Sequence, residues 1–237
     1  MTLSIVIPAY NESPRLPQTL AAIAGFFGES TPLHLEEVLV VDDGSADDTV
    51  VLAESWGTRL PVRVLRLLKN SGKGAAVREG MLAATGDLLL MYDADGATPI
   101  NEVIRLWGAM EQQGAQIAIG SRVDSRSGVS MQHHRRLIGR IYHALCRGLH
   151  PGIRDAACGC KLFRRESAQE IFALQTIDRF AFDVEILSLA IGRGMKIVEL
   201  PVQWSAIERS KVRLVQDGVQ MFGSVLSLYW KKFMKKN

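Results

Sequence analysis

Leu88-Leu89-Leu90-Met91-Tyr92-Asp93-Ala94-Asp95-Gly96 decides how the chain is read. A short apolar run, bounded on both sides, fits a buried strand better than a helix. It ends in two carboxylates one residue apart, then a glycine. Residues i and i+2 of a strand share a face, so Asp93 and Asp95 can point into one cleft where the strand opens into a loop. Carboxylates that close repel unless a cation lies between them. A hard divalent ion such as Mg2+ suits the place, since it takes one or two carboxylates and completes its shell with substrate phosphates. A solvated turn explains an isolated D-x-D equally well, so the rest of the chain has to choose.

Working outward, apolar runs recur at Leu3–Pro8, Glu37–Val41, Val62–Leu68 and 116–119, separated by helical segments that include 70–84 and 99–113. Pro14 or Pro17 opens the first helix, and Ser45 or Asp47 is the expected cap of the helix through Trp56. Apolar strands alternating with helices predict an α/β fold with a mostly parallel sheet covered on both faces. Ligands of such sheets bind outside the carboxyl ends of the strands. That rim is where Tyr10-Asn11-Glu12, Asp42-Asp43 and the Asp93/Asp95 pair fall.

The chain lacks G-x-G-x-x-G after its first strand and lacks G-x-x-x-x-G-K-[ST] altogether, which removes support for dinucleotide and P-loop readings. Gly72-Lys73-Gly74 can bring a cation and free N–H groups to a phosphate at a helix N-terminus; a flexible turn with a solvated lysine explains it as well. Residues 121–132 are polar and aperiodic, with Arg122 and Arg126, and read as a loop. His133-His134-Arg135-Arg136 opens an expected helix through Leu149. Adjacent histidines share no helix face, so the arginines are the telling part: a guanidinium grips phosphate through a fixed fork. Residues 157–165, 179–194 and 196–204 read as strand, helix, strand. Asp183 and Glu185 at the start of that helix also suit its macrodipole.

Composition bounds the rest. The chain has 237 residues, 47% hydrophobic and 22% charged, which is ordinary for a globular α/β domain. Three cysteines give no disulfide framework and point to a reducing compartment; Cys158-Gly-Cys160 lacks the second pair of a structural zinc site, so both read as packing residues. No signal-peptide pattern precedes the first strand, and no apolar stretch reaches the roughly 18 residues that span a bilayer. Removing Lys231, Lys232, Lys235 and Lys236 from a net charge of +3 leaves −1. The basic character is therefore a tail, and no nucleic-acid footprint is expected on the body. The C-terminal segment 216–237 is amphipathic, with Phe222, Val225, Leu226, Tyr229 and Phe233 at helical spacing. It fits a last helix packed on the domain and fits equally a helix in a membrane interface with lysines on anionic lipid.

Val6-Ile7-Pro8-Ala9-Tyr10-Asn11-Glu12, Val41-Asp42-Asp43-Gly44-Ser45 with Asp48-Thr49, residues 70–78 and Asp93-Ala94-Asp95, in this order and spacing, resemble the family-2 glycosyltransferases with the GT-A fold. Asp95-Gly96-Ala97-Thr98, Gly120-Ser121-Arg122, Asp155 with Cys158 to Phe163, Phe180 to Glu185, and Glu199 to Val202 with Trp204 and Ser210-Lys211-Val212 resemble the polyprenyl-phosphate sugar transferases, nearest the dolichyl-phosphate β-glucosyltransferase branch. The resemblance covers residues 3 to 215. It implies a Rossmann-like GT-A domain over 1–215, followed by the basic amphipathic helix of 216–237.

It also implies roles. Asp93 and Asp95 would hold Mg2+ or Mn2+. Pro8, Tyr10, Glu12 and Asp42 would line the base and ribose pocket, with Asp93 on the ribose or metal, and Lys73 and Lys211 on the diphosphate. Arg122, Arg126, Arg135 and Arg136 would clamp the acceptor phosphate. Asp155 and Asp183 would orient those arginines or assist a proton transfer. The implied reaction moves glucose from UDP-glucose to a dolichyl or polyprenyl phosphate with inversion. The implied place is peripheral, at the cytoplasmic face of a membrane surface. The rival readings are a GDP-mannose-dependent enzyme, which Ala97 disfavours because the mannosyl branch carries glutamine there, a transferase acting on a saccharide hydroxyl, and an inactive nucleotide-sugar-binding protein.

Overall fold

A computed structural model describes residues 1–123, 146, 148–150, 152–205 and 216–234. In chain order the elements are β1 (Thr2–Ala9), α1 (Leu16–Phe27), β2 (His34–Asp42), α2 (Thr49–Glu54) with a 3-10 turn (Ser55–Thr58), β3 (Val62–Arg66), α3 (Lys73–Ala83), β4 (Leu88–Met91), α4 (Glu102–Gln113), β5 (Ile117–Ser121), β6 (Lys161–Arg164), α5 (Arg165–Phe172), α6 (Phe182–Gly192), β7 (Ile197–Pro201) and α7 (Gln216–Met234). The expected helix 133–149 lies mostly outside the described residues.

The seven strands form one sheet in the order β3-β2-β1-β4-β6-β5-β7. β1 runs parallel to β2 and β4, β2 parallel to β3, and β5 parallel to β7. β6 alone is antiparallel to its neighbours, with Met91 opposite Lys161 and Ile119 opposite Lys161. The sheet is therefore mostly parallel, as the apolar runs predict. The expected strand over 157–165 contracts to four residues, because the segment before Lys161 runs along the rim.

Alternate residues of the buried strands feed two cores. Leu3, Ile5 and Ile7 join Leu16, Leu20 and Ile23 of α1 and Val103, Leu106 and Met110 of α4 on one face. Val6, Leu39 and Val41 join Ala76, Val77 and Met81 of α3 and Ile186 and Leu187 of α6 on the other. The chain steps outward from β1 to β2 and β3, then crosses back over α3 to β4. The order thus reverses between β1 and β4, the place where open α/β sheets form their ligand crevice.

The loop caps differ from expectation. Asp48 takes the N-cap position of α2 without a side-chain bond. Ser45 and Asp47 instead tie the first two loops together: Ser45 Oγ accepts from Asn11 N, and Asp47 accepts from Ser13 N and Thr49 N. α7 rests on α6 through Val225 and Leu228 against Val184 and Ala181. Its Leu226 and Trp230 stay exposed.

Gly80 sets how closely α3 lies on the sheet. A Cβ there would come 2.4 Å from Val6 Cγ1 and 2.7 Å from Val41 Cγ2. Alanine has better helix propensity by about 1 kcal/mol, yet overpacking costs about 1–3 kcal/mol. Gly80→Ala is expected to lower stability in urea unfolding; a gain would show that α3 moves freely.

Candidate active site

The rim at the carboxyl ends of the parallel strands is built from loops that brace one another. After β1, Asn11 adopts φ 53°, and its Oδ1 accepts from Ala46 N, while Glu12 N donates to Thr49 Oγ1. After β2, Asp42 accepts from Ser45 N. Its neighbour Asp43 holds the loop after β3, accepting from Ser71 N at 2.6 Å, Gly72 N at 2.9 Å and Asn70 Nδ2 at 3.0 Å. Gly72 has φ +112°, and a Cβ on it would meet Asp178 O at 2.5 Å. This corner admits only glycine, and it delivers Lys73 as the first residue of α3.

Lys73 reaches across to the end of β4, placing Nζ 2.6 Å from Asp93 Oδ1. The two acids of the D-x-D run are consequently unalike. Burial pushes the Asp93 carboxyl up, but the charge and hydrogen bond of Lys73 outweigh it and hold Asp93 below its ordinary value. Asp95 has Ala97 N on its Oδ1 at 3.1 Å. Burial first, then the nearby Asp93 charge, raises it above the ordinary value. An acid pushed up by a neighbouring carboxylate is one whose charge an added cation would stabilise. Among the described residues no group of three or more His, Cys, Asp or Glu is gathered for a metal. Two hard oxygen donors fit Mg2+ or Mn2+, whose remaining positions come from phosphate and water. The thiols of Cys158 and Cys160, which burial pushes up, suit packing rather than ligation.

Pro8 is buried in β1 opposite Val41, Tyr10 is exposed at the rim, and Asp42 is buried beside it. Glu12 is paired with Arg15, Oε2 to Nε at 2.6 Å. Across the crevice, Arg122 leaves β5 and forks onto Asp155, Nε to Oδ2 at 2.7 Å and Nη2 to Oδ1 at 2.8 Å, with its own N–H on Oδ2. Burial would lower the Arg122 pKa, but the Asp155 hydrogen bonds and charge reverse this. Glu199 of β7 accepts from the backbone N–H of Arg154 and Asp155, fixing the segment. Asp183, expected to orient the arginines or assist a proton transfer, receives Lys161 Nζ at 2.5 Å, and Lys161 also donates to Cys158 O. Tyr92, Asp93, Ala97, Thr98, Arg122, Gly159 and Trp204 line a small pocket. Gly159 is essential to its wall, since a Cβ would fall 1.8 Å from Asp93 Oδ2. Arg126, Arg135, Arg136 and Lys211 lie outside the described residues.

Five contributors carry no role in the sequence reading. Asp43, Gly159, Lys161 and Trp204 lie within quoted motifs, and Arg15 lies beside one. The contacts of Gly159, Lys161 and Trp204 become visible only when antiparallel β6 enters beside β4 and β7 closes the edge.

A family model described as Glycosyl transferase family 2 matches residues 4–172. The chain is 37% identical over 242 residues to a dolichyl-phosphate beta-glucosyltransferase of Dictyostelium discoideum, covering 97% of this chain and 74% of that one. It is 38% identical over 248 residues to the Drosophila melanogaster protein of the same name, covering 99% and 76%. Glucosyl-3-phosphoglycerate synthase from Mycobacterium tuberculosis, solved with Mn2+, UDP-glucose and phosphoglyceric acid, has the same fold, with a TM-score of 0.70 at 21% identity over 95% of this chain and 79% of that one. The chain belongs to glycosyl transferase family 2.

The Arg122–Asp155 pair generates a pH prediction. The Asp155 pKa is depressed in the folded protein, so its contribution is present above the ordinary value of 3.8 and is lost as pH falls toward the folded value. Asp155→Asn is expected to cost on the order of 3 kcal/mol near neutral pH, as when a buried pair loses a partner. The gap to the wild type should narrow in urea titrations taken below about pH 4. A gap that widens on acidification would contradict the assignment.

Proposed function

We propose that this protein transfers glucose from UDP-glucose to the phosphate of a dolichyl or other polyprenyl lipid, with inversion at the sugar carbon. One observation carries the reading. Asp93 of the D-x-D run and the Asp155-clamped Arg122 line a single pocket beyond the ends of β4 and β5. The relatives named as dolichyl-phosphate beta-glucosyltransferases support both donor sugar and acceptor.

In this reading Pro8, Tyr10, Glu12 and Asp42 receive base and ribose. Lys73, and Lys211 from outside the described residues, pair with the diphosphate. Asp93 and Asp95 hold Mg2+ or Mn2+, which supplies Lewis-acid neutralisation of the charge that develops on the departing nucleoside diphosphate. A lipid phosphate is already an anionic nucleophile, so a strong general base matters less than in-line presentation. Arg122 provides that presentation because its fork is preset by Asp155, and Arg126, Arg135 and Arg136 complete the clamp. Asp155 acts through Arg122, and Asp183 through Lys161. Residues 1–215 form the catalytic domain. The segment 216–237, with Leu226 and Trp230 of its helix outward, rests on the cytoplasmic face of a membrane.

UDP release from UDP-glucose should require both polyprenyl phosphate and Mn2+. Asp95→Ala should abolish it while the circular-dichroism spectrum is kept; turnover that still needs the metal would move the metal elsewhere. Arg122→Lys should slow transfer about 100-fold, the cost of losing a preorganised donor, with UDP binding little changed. Equal loss of both would count against the clamp. Deleting 217–237 should reduce sedimentation with anionic liposomes, and undiminished binding would remove the helix from the membrane.

A further inference from the structure

A nucleotide-sugar is a linear molecule: base, ribose, diphosphate, hexose. The rim is ordered in the same way. Strand ends follow one another as β2, β1, β4, β6, β5, β7. If base and ribose lie over β2 and β1, and the diphosphate at the acids after β4, the hexose falls over β6, β5 and β7. The residues standing there are Gly159, Arg122 and Trp204, which line one pocket with Asp93 and Thr98.

We infer that Trp204 is the specificity-determining wall for the donor hexose, a role that rests on the nucleotide-sugar reading above. The backbone around Trp204 is held in advance. On one side of it Gln203 N donates to Glu102 Oε1 at 3.3 Å, and on the other Ser205 N donates to Ala97 O at 2.9 Å. The Arg122 guanidinium lies 5.9 Å from the indole centroid and is fixed by Asp155. Tyr92 OH donates to Thr98 O, which pins the facing turn. A pyranose presents C–H patches on its faces and hydroxyls around its edge. The indole suits the first, and Asp93, Arg122 and Thr98 suit the second, the usual division between apolar walls and a few placed polar groups. An indole covering the face onto which an axial C4 hydroxyl projects admits glucose, whose C2, C3 and C4 hydroxyls are all equatorial, and clashes with the axial C4 hydroxyl of galactose.

The test is calorimetry on the full chain with Mn2+, titrating UDP and UDP-glucose separately. Trp204→Leu should weaken UDP-glucose about tenfold, the worth of one aromatic contact, and leave UDP within about twofold. Trp204→Phe should restore most of the loss. The preference for UDP-glucose over UDP-galactose should shrink in the leucine variant. Equal weakening of UDP and UDP-glucose, or no change in either, overturns the assignment. A wild type that binds no UDP would instead remove the nucleotide reading beneath it. A second measurement needs no variant: saturating aromatic protons of the wild type should transfer magnetisation to the glucosyl ring protons, and its absence also overturns the role.

Discussion

Four carboxylates and three cations crowd the rim of one sheet, and their pairing constrains everything around them. Lys73 takes Asp93, Arg122 takes Asp155 and Lys161 takes Asp183. Asp95 has no such ion pair among the described residues, and burial, then its neighbour's charge, pushes it up. An isolated buried charge costs several kcal/mol, so each pair must be met by an element positioned to supply its partner. The Asp43 hub delivers Lys73, β5 delivers Arg122, and antiparallel β6 delivers Lys161. The fold exists in this form because these partners arrive from three separate stretches of chain.

The arrangement divides labour between the two halves. The first half, through β4, is a parallel unit whose loops are tied by Asn11, Ser45, Asp47 and Asp43. It brings polar groups to the crevice between β1 and β4. The second half adds β6, β5 and β7 at the edge, and with them an arginine fork, a buried lysine and an indole. Such an edge suits a group that must differ between related enzymes, while the braced first half suits the constant part of a substrate.

Much of the first half was legible in the sequence. The apolar runs ending in Asp42, Asp93 and their neighbours report strands buried on both faces, and period and length suffice to find them. The parallel rim follows, and with it the placing of the loops that carry Tyr10, Asp42 and Asp93 along one edge of the sheet. The second half was not legible to the same degree. Lys161 in a strand reads as a polar break, yet it is wholly buried because Asp183 and a carbonyl meet it. That contact joins elements 22 residues apart through an antiparallel insertion which no local pattern announces. Asp183 looked like a helix-dipole residue or an arginine partner, and only tertiary packing shows its lysine. Ser45 is taken by the first loop, a competition invisible to local propensity, while Asp47 is shared between Ser13 of that loop and Thr49 N at the start of α2.

The central claim is that acids and arginine serve one reacting centre. Paramagnetic relaxation of the 31P signal of a short-chain polyprenyl phosphate, with Mn2+ and UDP bound to the full chain, tests it most directly. The account predicts strong enhancement that is lost in Arg122→Lys and in Asp95→Ala. A phosphate that binds without feeling the manganese would place the two halves of the site apart and contradict the account.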